Sequence, residues 1–409
     1  MTGEPAHPSI APRLPLRDVL RRIAAPSDDA RASEIPHYVR SIGLGVLAIL
    51  IGLELSGWIG FAFTDLHNHS DFPMYYRGAE VIRAGNGANL YRPQLVDYGY
   101  VHPAFEALLF VPFTFLPFWW AYILWAVFNV GCLVASHRLM AAWNLRRISP
   151  AGSLGFLLAF FPVSFAVMNG EDSVLVLLLL ACWSFYELRS GRHLLSGVII
   201  GFSVARFQFL LPFLVILALW KLFRVLTGAI VSAGGLMLLS VFLTGWRGQI
   251  TYYHLLRDLA TRDYPATMAN LRVVLIHVHL QFLLVPLSLA IVGFALWKGR
   301  HLQDAEQFLI AIVTVCIVDY HLFVYDLCIL SLPLVIFAAW LLENERYAEL
   351  LSPLGIVAAP LVILLSGGTK WLWILGLVAP LLLWHMLHSR SPVVDEGSVA
   401  YREHFTSDS

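Results

Sequence analysis

The segment "DLHNHSDFPMYYRGAEV" (residues 65–81) concentrates ionisable side chains directly after the first long apolar run of the chain. It contains three carboxylates, two histidines, two tyrosines and one arginine. Carboxylates and histidines are the groups that proteins use for general acid–base chemistry and for metal binding. The segment is therefore a candidate for either kind of site.

A metal site is the weaker of these interpretations. Asp65, His67 and His69 occupy alternate positions, so an extended chain can aim all three side chains at one ion. A single Asp-x-His-x-His pattern is nevertheless a weak signal for a metal. We find no D-x-D-like pair in an obvious metal-binding frame, and we expect neither an essential metal nor another cofactor.

Asp71 has a structural and a chemical interpretation. Residues 70–87 carry the marks of a short helix, with Ser70 or Asp71 as the N-cap, Pro73 in the first turn and Gly85 or Gly87 at the end. As an N-cap, Asp71 only stabilises that helix, whereas as a general base it accepts a proton. Asp65 is the reserve candidate for the base, because it is closer to the apolar run.

One face of this short helix is apolar enough to lie on a bilayer surface. That face combines Tyr75 and Tyr76 with Ala79 and Ile82.

The composition identifies the scaffold as a membrane protein. The 409 residues are 58% hydrophobic and 13% charged, with a mean hydropathy of +0.72, whereas soluble domains are about 25% charged. Apolar runs long enough to cross a bilayer recur along the chain and do not alternate as barrel strands do. We predict an all-α polytopic protein with about 12 transmembrane helices. The apolar runs are 38–63, 103–143, 151–167, 173–188, 194–206, 208–223, 226–244, 281–297, 304–318, 322–341, 350–366 and 370–388.

The second of these runs is too long for a single crossing. Pro112 and Pro117 predict a break between a half-spanning piece and a true span.

The predicted organisation is a membrane domain, 38–388, between two cytosolic tails, 1–37 and 389–409. Lys and Arg are more frequent in the connections that lie on the same side of the membrane as the two tails. Since positively charged loops stay in the cytosol, these connections and both tails are predicted to be cytosolic. Residues 13–25 of the first tail form either a basic interfacial helix or a disordered segment. No apolar region precedes the first span, so we expect no cleaved signal peptide.

The opposite side of the membrane gathers the unusual chemistry. The net charge is zero, so nothing favours nucleic acid as a partner, and the four scattered cysteines fit core packing. Ionisable groups at membrane depth mark functional sites, and we therefore predict a site at the outer face. The outer connections, with 64–102 and 245–280 the longest, contain Asp65, Asp71, Glu171, Asp172, Arg206, Gln208, Arg257, Arg262, Asn270, Arg272, Asp319 and His321, with Tyr325 and Asp326 one turn below.

Several short motifs in order resemble glycosyltransferase family 87. The residues that carry the resemblance are "SDFPMYYRGAEVIRAGNGANLY" (70–91), the Pro- and Trp-containing run 100–129, "MNGEDSVLVLLLLAC" (168–182), "GVIIGFSVARFQFLLPF" (197–213), "MANLRVVL" (268–275) and "HLFVYDLCIL" (321–330). The chain departs from the family pattern at three places. Glu171 stands where Gln is usual, His102 where a first Pro is usual, and Arg206-Phe207 where Lys-Pro is usual.

The resemblance implies a GT-C-type helical bundle with interfacial helices in its outer loops. It implies an enzyme that moves a sugar, typically mannose, from a polyprenyl-phosphate donor to a glycolipid or polysaccharide acceptor. The site would lie on the outer face of the cytoplasmic membrane, among membrane lipids.

The resemblance also places the first-loop carboxylate of GT-C enzymes, the general base, at Asp71. For the leaving phosphate the chain offers Arg272, Arg206 and His321, which are cationic or hydrogen-bonding groups. For the sugar it offers Tyr75, Asn270, Gln208, Glu171, Tyr325 and Asp326.

Simpler interpretations remain open for several of these residues. Arg272 can snorkel at the end of a span, His321 can pack or cap, and Glu171 with Asp172 can form a solvated turn. For the whole chain, a lipid-linked sugar flippase or a secondary transporter is the main alternative, and a membrane scaffold is a third.

Overall fold

The computed structural model describes residues 37–64, 71–92, 96, 100–141, 150–261, 268–300, 302 and 304–388. Across these residues the chain is helical, with a single isolated antiparallel bridge between Met268 and Phe323. Both predicted tails (apart from His37), including the basic segment 13–25, lie outside the described residues. The segment 65–70, with Asp65, His67 and His69, lies outside them as well.

The regular elements are α-helices joined by short 3₁₀ turns. The helices are α1 (His37–Thr64), α2 (Phe72–Arg83), α3 (Ala104–Phe110), α4 (Phe118–Ala141), α5 (Pro150–Leu158), α6 (Phe161–Asn169), α7 (Ser173–Ser190), α8 (His193–Gly201), α9 (Phe207–Leu219), α10 (Phe223–Thr261), α11 (Leu271–His277), α12 (Leu284–Gly299), α13 (Asp304–Val318), α14 (Ser331–Glu343), α15 (Leu351–Gly367) and α16 (Val378–His388). The 3₁₀ segments are Gly87–Asn89, Val111–Phe115, Phe202–Arg206, Gln281–Leu283, Tyr325–Leu330, Tyr347–Leu350 and Gly368–Leu377.

Six helical stretches of the described chain are long and apolar enough to cross a membrane. Five shorter apolar helices accompany them, so the predicted helical membrane protein is confirmed at this level. The count of about 12 crossings and the GT-C arrangement stay predictions. The six stretches are Phe118–Met140, His193–Leu219, Phe223–Asp258, Gln281–Gly299, Tyr325–Glu343 and Tyr347–Leu365, and the shorter helices are Ser41–Gly57, Ala104–Phe115, Ser173–Ser184, Glu306–Val318 and Trp373–Leu387.

The apolar stretches differ in how much of their surface the protein covers. Tyr325–Glu343 is 89% buried and lies at the centre of the bundle, whereas Gln281–Gly299 is 11% buried and lies at its edge. Because lipid tails solvate an apolar helix as well as other helices do, a peripheral helix remains stable with this much apolar surface outward.

The long run 103–143 is broken where its prolines predicted a break. Helix α3 ends at Phe110, a 3₁₀ turn carries Pro112, and α4 begins just after Pro117. Helix α10 bends at Gly245, whose φ of +67° is outside the helical region. The part of α10 after this bend coincides with the start of the predicted outer connection 245–280.

The face of α2 that was predicted to lie on the bilayer is instead covered by protein, so that prediction is wrong. Tyr75 and Ala79 are fully buried, and Tyr76 donates a hydrogen bond of 2.8 Å to the Leu116 carbonyl. The reason is an aromatic cluster beneath the helix, in which Tyr75 stacks on Phe110 with 4.7 Å between ring centroids. This packing places the start of α2, and with it Asp71, against the rest of the bundle.

Helices α8 and α10 run parallel and in close contact. A Cβ atom placed on Gly201 would lie 3.0 Å from Ala229 Cα, and one on Gly197 would lie 2.8 Å from the Val225 carbonyl carbon. The backbone leaves the helical conformation at Arg206 (φ −104°, ψ +63°), which is a bend between the 3₁₀ segment Phe202–Arg206 and α9.

We expect Gly228→Ala to lower the thermal unfolding midpoint of the purified protein in detergent. A Cβ on Gly228 would lie 2.8 Å from the Val198 backbone nitrogen and would separate α8 from α10. The matched control is Gly234→Ala on the same helix, where a Cβ meets nothing within 4 Å. Since Ala favours helix by about 1 kcal/mol over Gly, the control is expected to unfold at the same or a higher temperature. Equal midpoints for the two variants would contradict the close packing.

Candidate functional site

A tight turn between α6 and α7 forms the base of the candidate site. Gly170 ends α6 with a φ of +72°, and a Cβ on it would lie 2.6 Å from the Phe72 Cβ. This left-handed ending is the usual way for a glycine to stop a helix. The chain then turns so that Glu171 and Asp172 face inward, with 1% and 3% of their surfaces exposed. The alternative of a solvated turn at these two residues is therefore wrong.

Three side chains of α4 hold the backbone of this turn. Tyr122 donates to the Met168 carbonyl at 2.8 Å, and Trp125 donates to the Gly170 carbonyl at 2.8 Å. Asn129 donates to the Glu171 carbonyl at 3.2 Å. Residues 122, 125 and 129 follow helical spacing, so a single face of α4 positions the whole turn.

Arg206 is the centre of a buried ionic cluster. Its guanidinium is bonded to Glu171, lies 2.5 Å from Asp172 Oδ1 and lies 3.5 Å from Asp326 Oδ1. Arg206 is 4% exposed, so these interactions operate in a low-dielectric environment. The ion pairs join three segments that are far apart in the chain: the turn after α6, the bend before α9 and the 3₁₀ segment Tyr325–Leu330.

Asp326 also has partners besides Arg206, and they fix the chain just before the 3₁₀ segment Tyr325–Leu330. Its carboxylate accepts the Ser173 hydroxyl at 2.6 Å and the Phe323 backbone N–H at 3.0 Å. Tyr325, beside it, lies with its ring 5.7 Å from the Arg206 guanidinium carbon. The structure thus brings Tyr325 and Asp326 to Arg206.

Asp71 lies at the edge of this cluster. It occupies the N-cap position of α2, yet its side chain makes no capping hydrogen bond. Instead, its carboxylate accepts a hydrogen bond of 3.0 Å from Asn169 Nδ2 and is hydrogen-bonded to Glu171. Asp71 is half-buried, whereas Glu171, Asp172 and Asp326 are buried. Its carboxylate is thus directed at the ionic cluster and not at its own helix.

A line of polar side chains continues from Glu171 beneath α2. The Tyr75 hydroxyl donates to Glu171 Oε2 at 3.0 Å and lies 3.2 Å from His102 Nε2. His102 Nδ1 lies 3.0 Å from Glu106 Oε2. Burial raises the pKa of Tyr75 well above its ordinary value, and the nearby Glu171 carboxylate raises it further. Tyr75 therefore remains a neutral hydrogen-bond donor.

Arg272 and His321 form a second group beside the first. The Arg272 guanidinium lies 4.0 Å over the ring of Tyr320, the residue before His321. Burial lowers the pKa of His321 to about 4, and the positive charges of Arg272 and Arg206 lower it further. His321 is therefore neutral at physiological pH. Burial also raises the pKa of Asp319 to about 7, although the hydrogen bond that its carboxylate accepts from the His321 backbone N–H acts in the opposite direction.

Asn270 and Gln208 differ in how the structure uses them. Asn270 is fully buried, donates to the Asp319 carbonyl at 2.8 Å, and accepts the Val273 N–H at 3.1 Å as the N-cap of α11. Both ends of its amide group are thus engaged within the protein. Gln208 is half-buried, in the first turn of α9 directly after Arg206.

Sequence reasoning missed several members of the network as site residues. Asn169 and Ser173 flank the acidic pair and contact it, yet neither was singled out. The spacing of His102 and Glu106, four residues apart in a run that begins a helix, was a usable signal for a paired site. No group of three or more His, Cys, Asp or Glu side chains with the arrangement of a metal site occurs in the portion of the chain that the structure describes.

We expect Arg206→Met to destabilise the protein strongly. The substitution leaves buried carboxylates without their cation, and breaking a buried ion pair from one side costs about 3–5 kcal/mol of unfolding free energy. Denaturant unfolding followed by tryptophan fluorescence measures the loss. Arg224→Met, at an exposed position at the start of α10, is the control and should unfold like the unmodified protein. Equal stability of both variants would show that the ionic cluster does not stabilise the fold.

Part of the chain matches a known protein family. The model of glycosyltransferase family 87 matches residues 100–325, which include Glu171, Arg206, Arg272 and His321 but not Asp71. No curated protein and no solved structure matches the chain. Since the matched range covers more than half of the sequence, this membrane protein belongs to glycosyltransferase family 87.

Proposed function

We propose that the protein is an inverting glycosyltransferase that uses a polyprenyl-phosphate sugar, with mannose as the expected sugar. The acceptor is a glycolipid or a polysaccharide, and transfer takes place at the outer face of the cytoplasmic membrane. Both termini are then cytosolic. Family membership supports the transfer of a sugar, and the apolar helices support a donor carried by a lipid.

The observation that carries this proposal is the position of Asp71. Among the carboxylates joined to the Arg206 cluster, Glu171, Asp172 and Asp326 are buried and engaged, whereas Asp71 is half-buried. A general base must be rigidly held on one side and accessible on the other. The hydrogen bonds from Asn169 and to Glu171 hold Asp71, and its partial exposure leaves it accessible to a substrate hydroxyl.

In the proposed reaction, Asp71 accepts the proton of the acceptor hydroxyl while the hydroxyl oxygen forms a bond to C1 of the sugar. The bond between C1 and the phosphate oxygen breaks, and its electron pair leaves with the polyprenyl phosphate. Base and leaving group act on opposite faces of the sugar, so the configuration at C1 inverts, as in inverting hydrolysis.

Arg272 is the best-placed residue for the leaving phosphate in this proposal. It is half-buried, rests on Tyr320 and donates from Nη1 to the Met268 sulfur at 3.9 Å, a weak contact that leaves its donors available to a ligand. His321, being neutral, donates a hydrogen bond and not a charge. The earlier assignment of Arg206 to the phosphate is less suitable, because its guanidinium already pairs with Glu171, Asp172 and Asp326. We assign Arg206 to positioning the turn that holds Asp71.

The remaining predicted sugar-binding residues divide in the same way. Gln208 and Tyr325 are half-buried and keep their assignment to the sugar. Asn270, Asp326, Tyr75 and Glu171 are buried with partners inside the protein, and we assign them to holding the site in shape.

The direct test uses purified protein with radiolabelled polyprenyl-phosphate mannose and a crude lipid extract. Formation of a labelled glycolipid supports the enzyme. If the protein instead moves intact lipid-linked sugar across liposome membranes without transferring it, the proposal fails and the flippase alternative replaces it.

We expect Asp71→Asn to reduce the transfer rate by about 10²–10⁴-fold, because general base catalysis contributes a factor of that size. The amide keeps the shape and the hydrogen-bond distance but cannot accept the proton. The control is Glu80→Gln, which removes a carboxylate from the same helix and should retain activity. A fully active Asp71→Asn variant would exclude Asp71 as the base.

We expect Arg272→Met to weaken donor binding by about 10- to 100-fold, because hydrogen bonds to charged groups contribute about 1.5–3 kcal/mol. The KM for the donor should rise. Arg257→Met removes a more exposed arginine, 61% exposed, that is also in the predicted outer connection 245–280 and serves as the control. An unchanged KM in Arg272→Met would show that Arg272 does not bind the donor phosphate.

A further inference from the structure

Glu171 has an asymmetric environment. Its Oε2 atom receives two donors, the Tyr75 hydroxyl at 3.0 Å and the Arg206 guanidinium. Its Oε1 atom accepts a hydrogen bond of 3.3 Å from Asn169 Nδ2, and the same nitrogen donates to Asp71 Oδ2 at 3.0 Å. Its carboxyl group is also hydrogen-bonded to that of Asp71. A hydrogen bond between two carboxyl groups requires a proton on one of them.

The balance of charge around this pair favours such a proton. The charged and titratable groups that face Glu171, directly or through one partner, are Asp71, Asp172, Asp326, Arg206, Tyr75, Tyr325, His102 and Glu106. Carboxylates outnumber the cations in this set even if His102 is charged. Two carboxylates in contact inside a protein do not both ionise, since like charges at that distance repel strongly.

The proton belongs on Glu171 and not on Asp71. Glu171 is 1% exposed, whereas Asp71 is half-buried and accepts a hydrogen bond from Asn169. Burial disfavours the charged form of a carboxyl group most where no water can reach it. Accordingly, burial raises the pKa of Glu171 well above its ordinary value, and the charge of Asp71 raises it further, although Arg206 acts in the opposite direction.

We propose that Glu171 acts as a positioning residue in its protonated form, donating its carboxyl proton in a hydrogen bond to the Asp71 carboxylate. Its other oxygen meanwhile accepts from Tyr75 and Arg206, so one side chain connects the base to the buried cluster. This inference deepens the proposed function and depends on it. Glu171 keeps its own proton during transfer, while Asp71 receives the proton of the acceptor hydroxyl.

The proposal makes activity depend on pH in a defined direction. Because burial and the charge of Asp71 raise the pKa of Glu171, the arrangement is intact below that raised pKa. When the pH rises through that pKa, Glu171 becomes a carboxylate, repels Asp71 and no longer orients it. Transfer therefore falls on the alkaline side of the optimum.

Glu171→Gln tests this inference, because an amide supplies a permanent donor and acceptor with nearly the same shape. For each variant we measure the transfer rate on the alkaline side and divide it by the rate at that variant's own optimum. This ratio is unaffected by an overall loss of activity. We expect the alkaline decrease to disappear in Glu171→Gln. The control, Asp172→Asn, removes a neighbouring buried carboxylate that pairs with Arg206 and should retain the decrease. An alkaline decrease that is unchanged in Glu171→Gln overturns the inference.

An infrared measurement makes the test independent of catalysis. In D₂O at neutral pH, the infrared spectrum of the unmodified protein minus that of Glu171→Gln should contain the C=O stretch of a buried protonated carboxyl group, because the contribution of Asp319 cancels in this difference. Absence of such a difference between the two proteins also overturns the inference. If the unmodified protein transfers no sugar, the proposed function fails by itself, whereas normal transfer with no infrared difference rejects only the protonated Glu171.

Discussion

The burial of one guanidinium among three carboxyl groups is the interaction on which the site depends. Arg206 contacts Glu171, Asp172 and Asp326 where little water can reach, and its positive charge compensates the buried aspartates. The pairing joins segments that are separated by more than 150 positions in the chain. It therefore acts as a tie between helices whose apolar surfaces alone, in a lipid environment, provide little drive to associate in one specific way.

The surroundings explain how such a cluster can be held rigidly. Polar groups of α4 support the turn that carries Glu171 and Asp172, and Gly170 lets the start of α2 approach that turn closely. Aromatic packing beneath α2 then sets the direction of Asp71. Rigid elements around a partly open carboxylate are what proton transfer at a defined position requires. The same arrangement is a poor fit to a transport pathway, which has to open to each side in turn.

Much of the candidate site was predictable from residue types and their order along the chain. The helix after Asp71 followed from its cap, proline and glycine signals, and the break in the second apolar run followed from Pro112 and Pro117. The roles within the cluster did not follow. Arg206 was assigned to a ligand, yet it pairs with protein carboxylates, and His102 was noted only as a departure from the family pattern and not as a partner of Glu106 and Tyr75.

The sequence by itself determined that this is a helical membrane protein and which family it resembles. These properties depend on hydropathy and on short motifs, and both can be read from neighbouring residues without knowledge of the tertiary structure. Only the tertiary structure decided which carboxylate stays accessible, which are neutralised by Arg206 and which hydrogen bonds Asp71 makes. Those outcomes depend on burial and on the distances between side chains from different segments, and packing alone determines both.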